Sequence, residues 1–152
     1  MMAIDYQDSA QALRERICQM HAVAPDTIGD QLSFRLEKAG EDGFLLRCKT
    51  QGWMANAAGT LHGGIIATIL DQAMGFAVYA LKSRNGIAPS IQLQTAYHRP
   101  LVPGQDVLVR VRALSVTRTL ITLTAEGFQA ETPERICFSG SGTYFVVPET
   151  RP

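Results

Sequence analysis

Three hydrophobic patterns follow one another along the chain. Near the start, Leu13, Ile17 and Met20 fall at i, i+4 and i+7, the stripe of an amphipathic helix. Ser9 stands where an N-cap is wanted, so a first helix is predicted over residues 8–22. Pro25 and Gly29 break it. Residues 32–37 and 44–49 read as two short strands, with the turn chemistry of a hairpin in 40–43. Residues 51–60 contain Gly52, Asn56 and Gly59 and read as loop. The pattern then becomes dense. Between His62 and Leu81 apolar residues stand on almost every side (Ile65, Ile66, Ile69, Leu70, Ala73, Met74, Phe76, Val78), and a helix without a polar face is a buried helix. Gly86 and Pro89 close that segment. Beyond them alternation with period two predicts four strands, over 90–97, from 107 to 112, over 120–125 and over 136–147. Gly140 and Gly142 in the last strand predict a bulge there.

The order helix, two strands, buried helix, four strands has one economical solution. A helix that is apolar nearly all round needs a sheet to wrap it, which gives an α+β fold: a curved antiparallel sheet around one long central helix. Such a sheet keeps an open edge that a second copy could pair. No internal repeat or linker interrupts the 152 residues, so one domain spanning 1–152 is expected.

Charge narrows the partners. Fourteen Lys and Arg balance fourteen Asp and Glu, which argues against nucleic acid or an anionic membrane surface. Cys18, Cys48 and Cys137 are widely spaced, odd in number and without a C-x-x-C pair, the pattern of reduced thiols. The first ten residues carry Asp5 and Asp8 and lack a signal-peptide core. The apolar stretch 61–81 is interrupted by His62, Asp71 and Gln72, which a bilayer would not readily accept. A soluble, cytoplasmic protein is therefore expected.

Asp71 is the most informative residue. It is the only charged side chain between Asn56 and Ala80, and it sits on the predicted buried helix. A carboxylate there is costly unless satisfied. Thr68, one turn back, is a candidate donor, and an Arg on a distant strand or exposure to solvent are the non-functional alternatives. The functional reading is a carboxylate kept for acid–base or nucleophilic work. His62-Gly63-Gly64 opens the same helix, where the first N–H groups lack intrahelical partners and face the positive end of the dipole. That geometry can hold an oxyanion, although a glycine pair also serves simply to turn the chain. His62 reads as a positioning donor more readily than as a general base. Asn56 could orient a water, hold His62, or form a turn. Ser90 could position an attacking water or be an ordinary strand-end hydroxyl. No Walker loop, G-x-G-x-x-G fingerprint, G-x-S-x-G elbow or H-E-x-x-H motif is present, and no metal or redox cofactor is expected.

Spacing adds a constraint. Gly63 and Asp71 are eight residues apart, ~12 Å along a straight helix and on different faces. One substrate carbonyl cannot touch both within one chain, since productive contacts need about 3 Å. If both act on one group, the helix start comes from one subunit and the Asp from another.

With these residues in hand the chain resembles a known family. Asn56-Ala57-Ala58-Gly59-Thr60-Leu61-His62-Gly63-Gly64, followed by Thr68, Asp71 and Ala73-Met74-Gly75, resembles the signature of hotdog-fold thioesterases, most closely the phenylacetate-pathway (PaaI-type) branch. The segment from Pro89 to Pro100 and the ending Gly142-Thr143-Tyr144-Phe145 are similar to it too, and the resemblance covers roughly residues 30–147. It implies acyl-CoA thioester hydrolysis, with Asp71 as general base or nucleophile. It further implies Gly63 N–H as the carbonyl's donor, Asn56 and His62 shaping that site, and Ser90 holding the water. The related branch with Glu at this helix position acts on dihydroxynaphthoyl and some hydroxybenzoyl thioesters; Asp here favours the PaaI-like one. The family is commonly a tetramer built from two dimers, with active sites between subunits.

Arg99 and Arg118 are candidates for coenzyme A phosphates, and equally for solvated surface positions. Trp53, Met54, Met74 and Phe76 could line an acyl pocket or be plain core. Two other functions compete: a non-catalytic acyl-CoA-binding protein, and a hotdog dehydratase or hydratase. A lone acid is unfavourable for pure binding, and the His–acid pattern of the dehydratases is not seen.

Overall fold

A computed structural model describes residues 4–82 and 87–147. The first helix, α1 (Tyr6–Val23), starts earlier than residue 8. Its cap is Asp5, whose carboxylate accepts from the N–H groups of Gln7 and Asp8; Ser9 lies inside the helix and is buried. The reason is tertiary. Tyr6 packs edge-on against Phe44 with ring centroids 5.0 Å apart, and its hydroxyl accepts from Ala113 N–H at 2.9 Å. The stripe of Leu13, Ile17 and Met20 thus extends back through Ala10 and Tyr6.

A one-turn helix, α2 (Ile28–Gln31), capped by Thr27, occupies the break marked by Pro25 and Gly29. It delays the first strand: β1 runs Arg35–Gly40 rather than 32–37, and β2 runs Gly43–Cys48. A 3₁₀ turn at Gly52–Met54 sits in the expected loop. The central helix, α3, spans Gly63–Leu81 with His62 as its cap. Ile66, Ile69, Leu70, Ala73, Met74, Ala77 and Ala80 form its buried stripe, at helical spacing. By length and composition α3 could cross a bilayer; in this fold it is the helix the sheet wraps. Gly86, read as closing this segment, lies outside the described residues.

Four strands follow: β3 (Ser90–Tyr97), β4 (Val107–Val116), β5 (Leu120–Gln129) and β6 (Ile136–Phe145). All pairings are antiparallel, in the order β1-β2-β4-β5-β6-β3. The chain leaves α3, crosses to the far edge as β3, and pairs there with β6. Register breaks at Leu36/Lys38, Ser90/Gln92, Ala113/Ser115 and Gly127/Phe128 help curve the sheet. This is the hotdog arrangement.

No bulge occurs at Gly140 or Gly142; the ladder to β5 runs through both without a shift. The glycines serve close approach instead. A Cβ on Gly140 would run into the Gln94 carbonyl and the Leu70 side chain, and one on Gly142 would stand 3.0 Å from the Met74 methyl. Their bareness lets α3 settle onto β6. Cys48 and Cys137 are buried, Cys18 is exposed, and all three are free. Met54, Met74 and Phe76 belong to the core, while Trp53 is exposed.

Candidate active site

The start of α3 is built by its cap. His62 has extended backbone (φ −63°, ψ 134°), and its Nδ1 accepts from Gly64 N–H at 2.9 Å. Neutral imidazole accepting at Nδ1 carries its proton on Nε2. The ring therefore holds the helix start by accepting, where a positioning donor was expected. Gly63 N–H, the first donor of α3, has no hydrogen-bond acceptor among the described residues. The Gly63 carbonyl accepts from the Tyr97 hydroxyl at 3.0 Å, and the Tyr97 ring stands 3.4 Å from where a Cβ on Gly63 would be. Spacing along the chain does not point to Tyr97, because β3 is brought to the helix start by topology alone.

Asn56 makes no hydrogen bond to His62. Its Oδ1 accepts from the N–H groups of Ala58 (3.0 Å) and Thr60 (3.1 Å), and its Nδ2 donates to Thr60 Oγ1 (2.9 Å). The amide folds its own loop, which is the turn role among its three alternatives. Asn56, Gly63, Ile66, Tyr97 and Arg99 nevertheless line one open cleft of about 380 Å³. Arg99 is exposed, and its guanidinium donates to the Ile136 carbonyl.

Asp71 lies two turns further along α3 and is half-buried. Its Oδ1 accepts from the Tyr144 hydroxyl at 2.9 Å; the same hydroxyl is 3.2 Å from the Asp71 carbonyl. Thr68 does not donate to it. In a helix a threonine hydroxyl readily turns back to the i−4 carbonyl, and here it reaches Gly64 at 2.9 Å. No Lys or Arg pairs with Asp71 among the described residues. Tyr144 is 2 % exposed. Burial first, then the Asp71 charge and hydrogen bond, pushes its phenol far above the usual range, so it remains a donor. A signal for it existed: Gly140, Gly142 and Tyr144 share the inward phase of β6, and a phenol in that phase needs a buried acceptor.

The candidate residues fall into two groups. Asn56, His62, Gly63 and Arg99 gather at one end of β3, beside Tyr97. Asp71 is at the other, where Tyr144 pairs with Ser90 across the β3–β6 ladder. Arg118, in the β4–β5 turn, belongs to the Ser90 end, since the neighbouring Thr119 carbonyl accepts from Val146 N–H. Within one chain Gly63 and Asp71 do not converge: α3 is continuous between them, which sets them ~12 Å apart along its axis. Among the described residues no group of three or more His, Cys, Asp or Glu could hold a metal ion.

These features mark an unpartnered helix-start amide and a lone carboxylate on one hotdog helix. Residues 58–136, just over half the chain, match the family model of the Thioesterase superfamily. The chain belongs to that superfamily. The match includes Gly63, Asp71, Ser90, Arg99 and Arg118 and leaves out Asn56 and Tyr144. This superfamily member is 32% identical over 65 residues to human acyl-coenzyme A thioesterase 13, covering 43% of this chain and 46% of that protein. The alignment thus spans under half the length of the curated relative. Its fold is similar to mouse thioesterase superfamily member 2 (TM-score 0.73, 22% identity, 91% of this chain and 97% of that one). It is also similar to a mutant of the phenylacetic acid degradation protein PaaI from Thermus thermophilus (TM-score 0.65, 20% identity, 78% and 96%).

Proposed function

We propose that this chain hydrolyses acyl-CoA thioesters to free acid and coenzyme A, at sites shared between two copies of itself. The observation that carries the reading is the layout of the free strand. β3 lies at the sheet edge with the Gly63 group at its Tyr97 end and the Asp71 group at its Ser90 end. Antiparallel pairing with a second β3 reverses direction, so the Gly63 end of one copy meets the Asp71 end of the other. Ile91 (60 % exposed), Leu93 (37 %) and Tyr97 (57 %) supply apolar surface for that contact, and no residue from Ser90 to Tyr97 is charged. A homodimer, or a dimer of dimers, follows.

In this arrangement the thioester oxygen sits on Gly63 N–H at the positive end of α3, where charge builds as the carbonyl is attacked. Asp71 of the partner subunit takes a proton from water near Ser90, and the water oxygen bonds to the carbonyl carbon. The C–S bond breaks and coenzyme A leaves as the thiolate. Direct attack by Asp71 uses the same placement. Arg99 at the lip of the Gly63 cleft, and Arg118 at the other end, are the candidate contacts for coenzyme A phosphates. The name of the human relative, an acyl-coenzyme A thioesterase, supports the substrate class.

The test is free-thiol release across aryl and straight-chain acyl-CoAs. Wild type should turn over at least one of them, and Asp71→Asn should lower kcat by roughly 10²–10⁴-fold. Near wild-type turnover in the variant would remove Asp71 from the chemistry. Binding without thiol release by the wild type would mark a carrier rather than an enzyme.

A further inference from the structure

We infer that Tyr144 is a positioning residue for Asp71: its hydroxyl holds Oδ1, so that Oδ2 is the carboxylate oxygen presented to the reacting group. This rests on Asp71 being the reacting carboxylate, as proposed above. The hydroxyl donates to Oδ1 at 2.9 Å and stands 3.2 Å from the carbonyl of the same residue, bridging side chain and main chain and so fixing the Asp71 rotamer. Nothing else among the described residues does this: Thr68 bonds Gly64 and no cation pairs with the carboxylate.

Tyr144 is itself held firmly. Its backbone pairs with Ile121 on one side and Ser90 on the other. Its ring lies over Gly142, where a Cβ would come within 2.9 Å of Cε2. One residue therefore ties the acid on α3 to the free strand β3, the element across which the proposed site is completed. The hydroxyl proton between Tyr144 and Oδ1 is therefore the feature that a measurement must detect.

That hydrogen bond can be read without turnover. The Asp71 carboxyl, labelled with ¹³C and assigned by its absence in Asp71→Asn, is compared in H₂O and D₂O. The Tyr144 hydroxyl proton should give its resonance an isotope shift that Tyr144→Phe removes. Site-specific 3-fluorotyrosine at 144, a stronger donor of nearly the same shape, should enlarge it. Identical isotope shifts in all three proteins overturn the inference; if Tyr144→Phe does not fold, the fluorotyrosine protein decides. Kinetically, Tyr144→Phe should lower kcat about tenfold with KM nearly unchanged. An isotope shift that responds to residue 144 in a protein releasing no thiol from any acyl-CoA would sink the proposed reaction and leave the pairing standing. Turnover with unchanged isotope shifts and wild-type kcat would do the reverse.

Discussion

The two edges of the sheet are built on opposite plans. At one edge β1 carries Arg35, Glu37 and Lys38 and lies beside α1. Glu37 accepts from Arg35 (2.7 Å) and Arg47 (2.9 Å), and Arg47 reaches on to Asp106 (3.3 Å). At the other edge β3 has no charge, three exposed apolar side chains and nothing in the described chain beyond it. Charge on an edge strand discourages pairing, and an uncharged apolar edge invites it. The contrast separates a charged edge from an uncharged apolar one, and the candidate site residues lie along the second, the edge proposed to pair with another copy.

The sharpest way to break this reading is at the helix start. Gly63→Pro deletes the N–H while suiting the first helical position, and His62 already has the extended backbone that a following proline requires. The variant should keep its fold by circular dichroism and lose roughly 10²–10³ in kcat. Full activity would show that this amide touches no reacting atom. Next comes the edge: Leu93→Lys should convert dimer to monomer in sedimentation and lower turnover by about tenfold or more. A monomer with wild-type turnover would refute a shared site.

Complementation sharpens the point. Equal parts of Asp71→Ala and Gly63→Pro, unfolded and refolded together, should recover about a quarter of wild-type activity. Half the dimers are then hybrids, each with one intact site. No recovery would place both groups in one chain's site. The smallest effect belongs to the guarded edge. Glu37→Gln should cost about 0.5 kcal/mol in denaturant unfolding and leave assembly and turnover alone. Hydrogen bonds from Arg35 and Arg47 hold the Glu37 carboxyl below its usual range. Its contribution is therefore complete above the unfolded carboxylate pKa. It fades as pH falls through the folded one, where variant and wild type should converge.

Much of this was legible along the chain. The dense apolar run marked α3, period two marked the strands, and a lone acid eight residues after a glycine helix start marked the two candidate groups of the proposed site. What could not be read depended on contacts across long sequence distances. Tyr6 drew α1 back to an Asp5 cap through Phe44 and Ala113. Asp71 found its donor 73 positions away, on a strand whose neighbours are set by topology. Gly140 and Gly142 looked like a bulge because a missing side chain reads the same whether the backbone kinks or another element leans in.

That leaning-in has a consequence for variation. Position 140 faces the Gln94 carbonyl of β3 on one side and Leu70 of α3 on the other. Even an alanine there would act as a wedge, prising the outermost strand from the helix. Such a change would touch no candidate site residue, yet it would alter how far Tyr97 reaches and the surface that β3 offers. In the proposed pairing of two copies, the spacing of the seam is set, in part, by a methyl group that is not there.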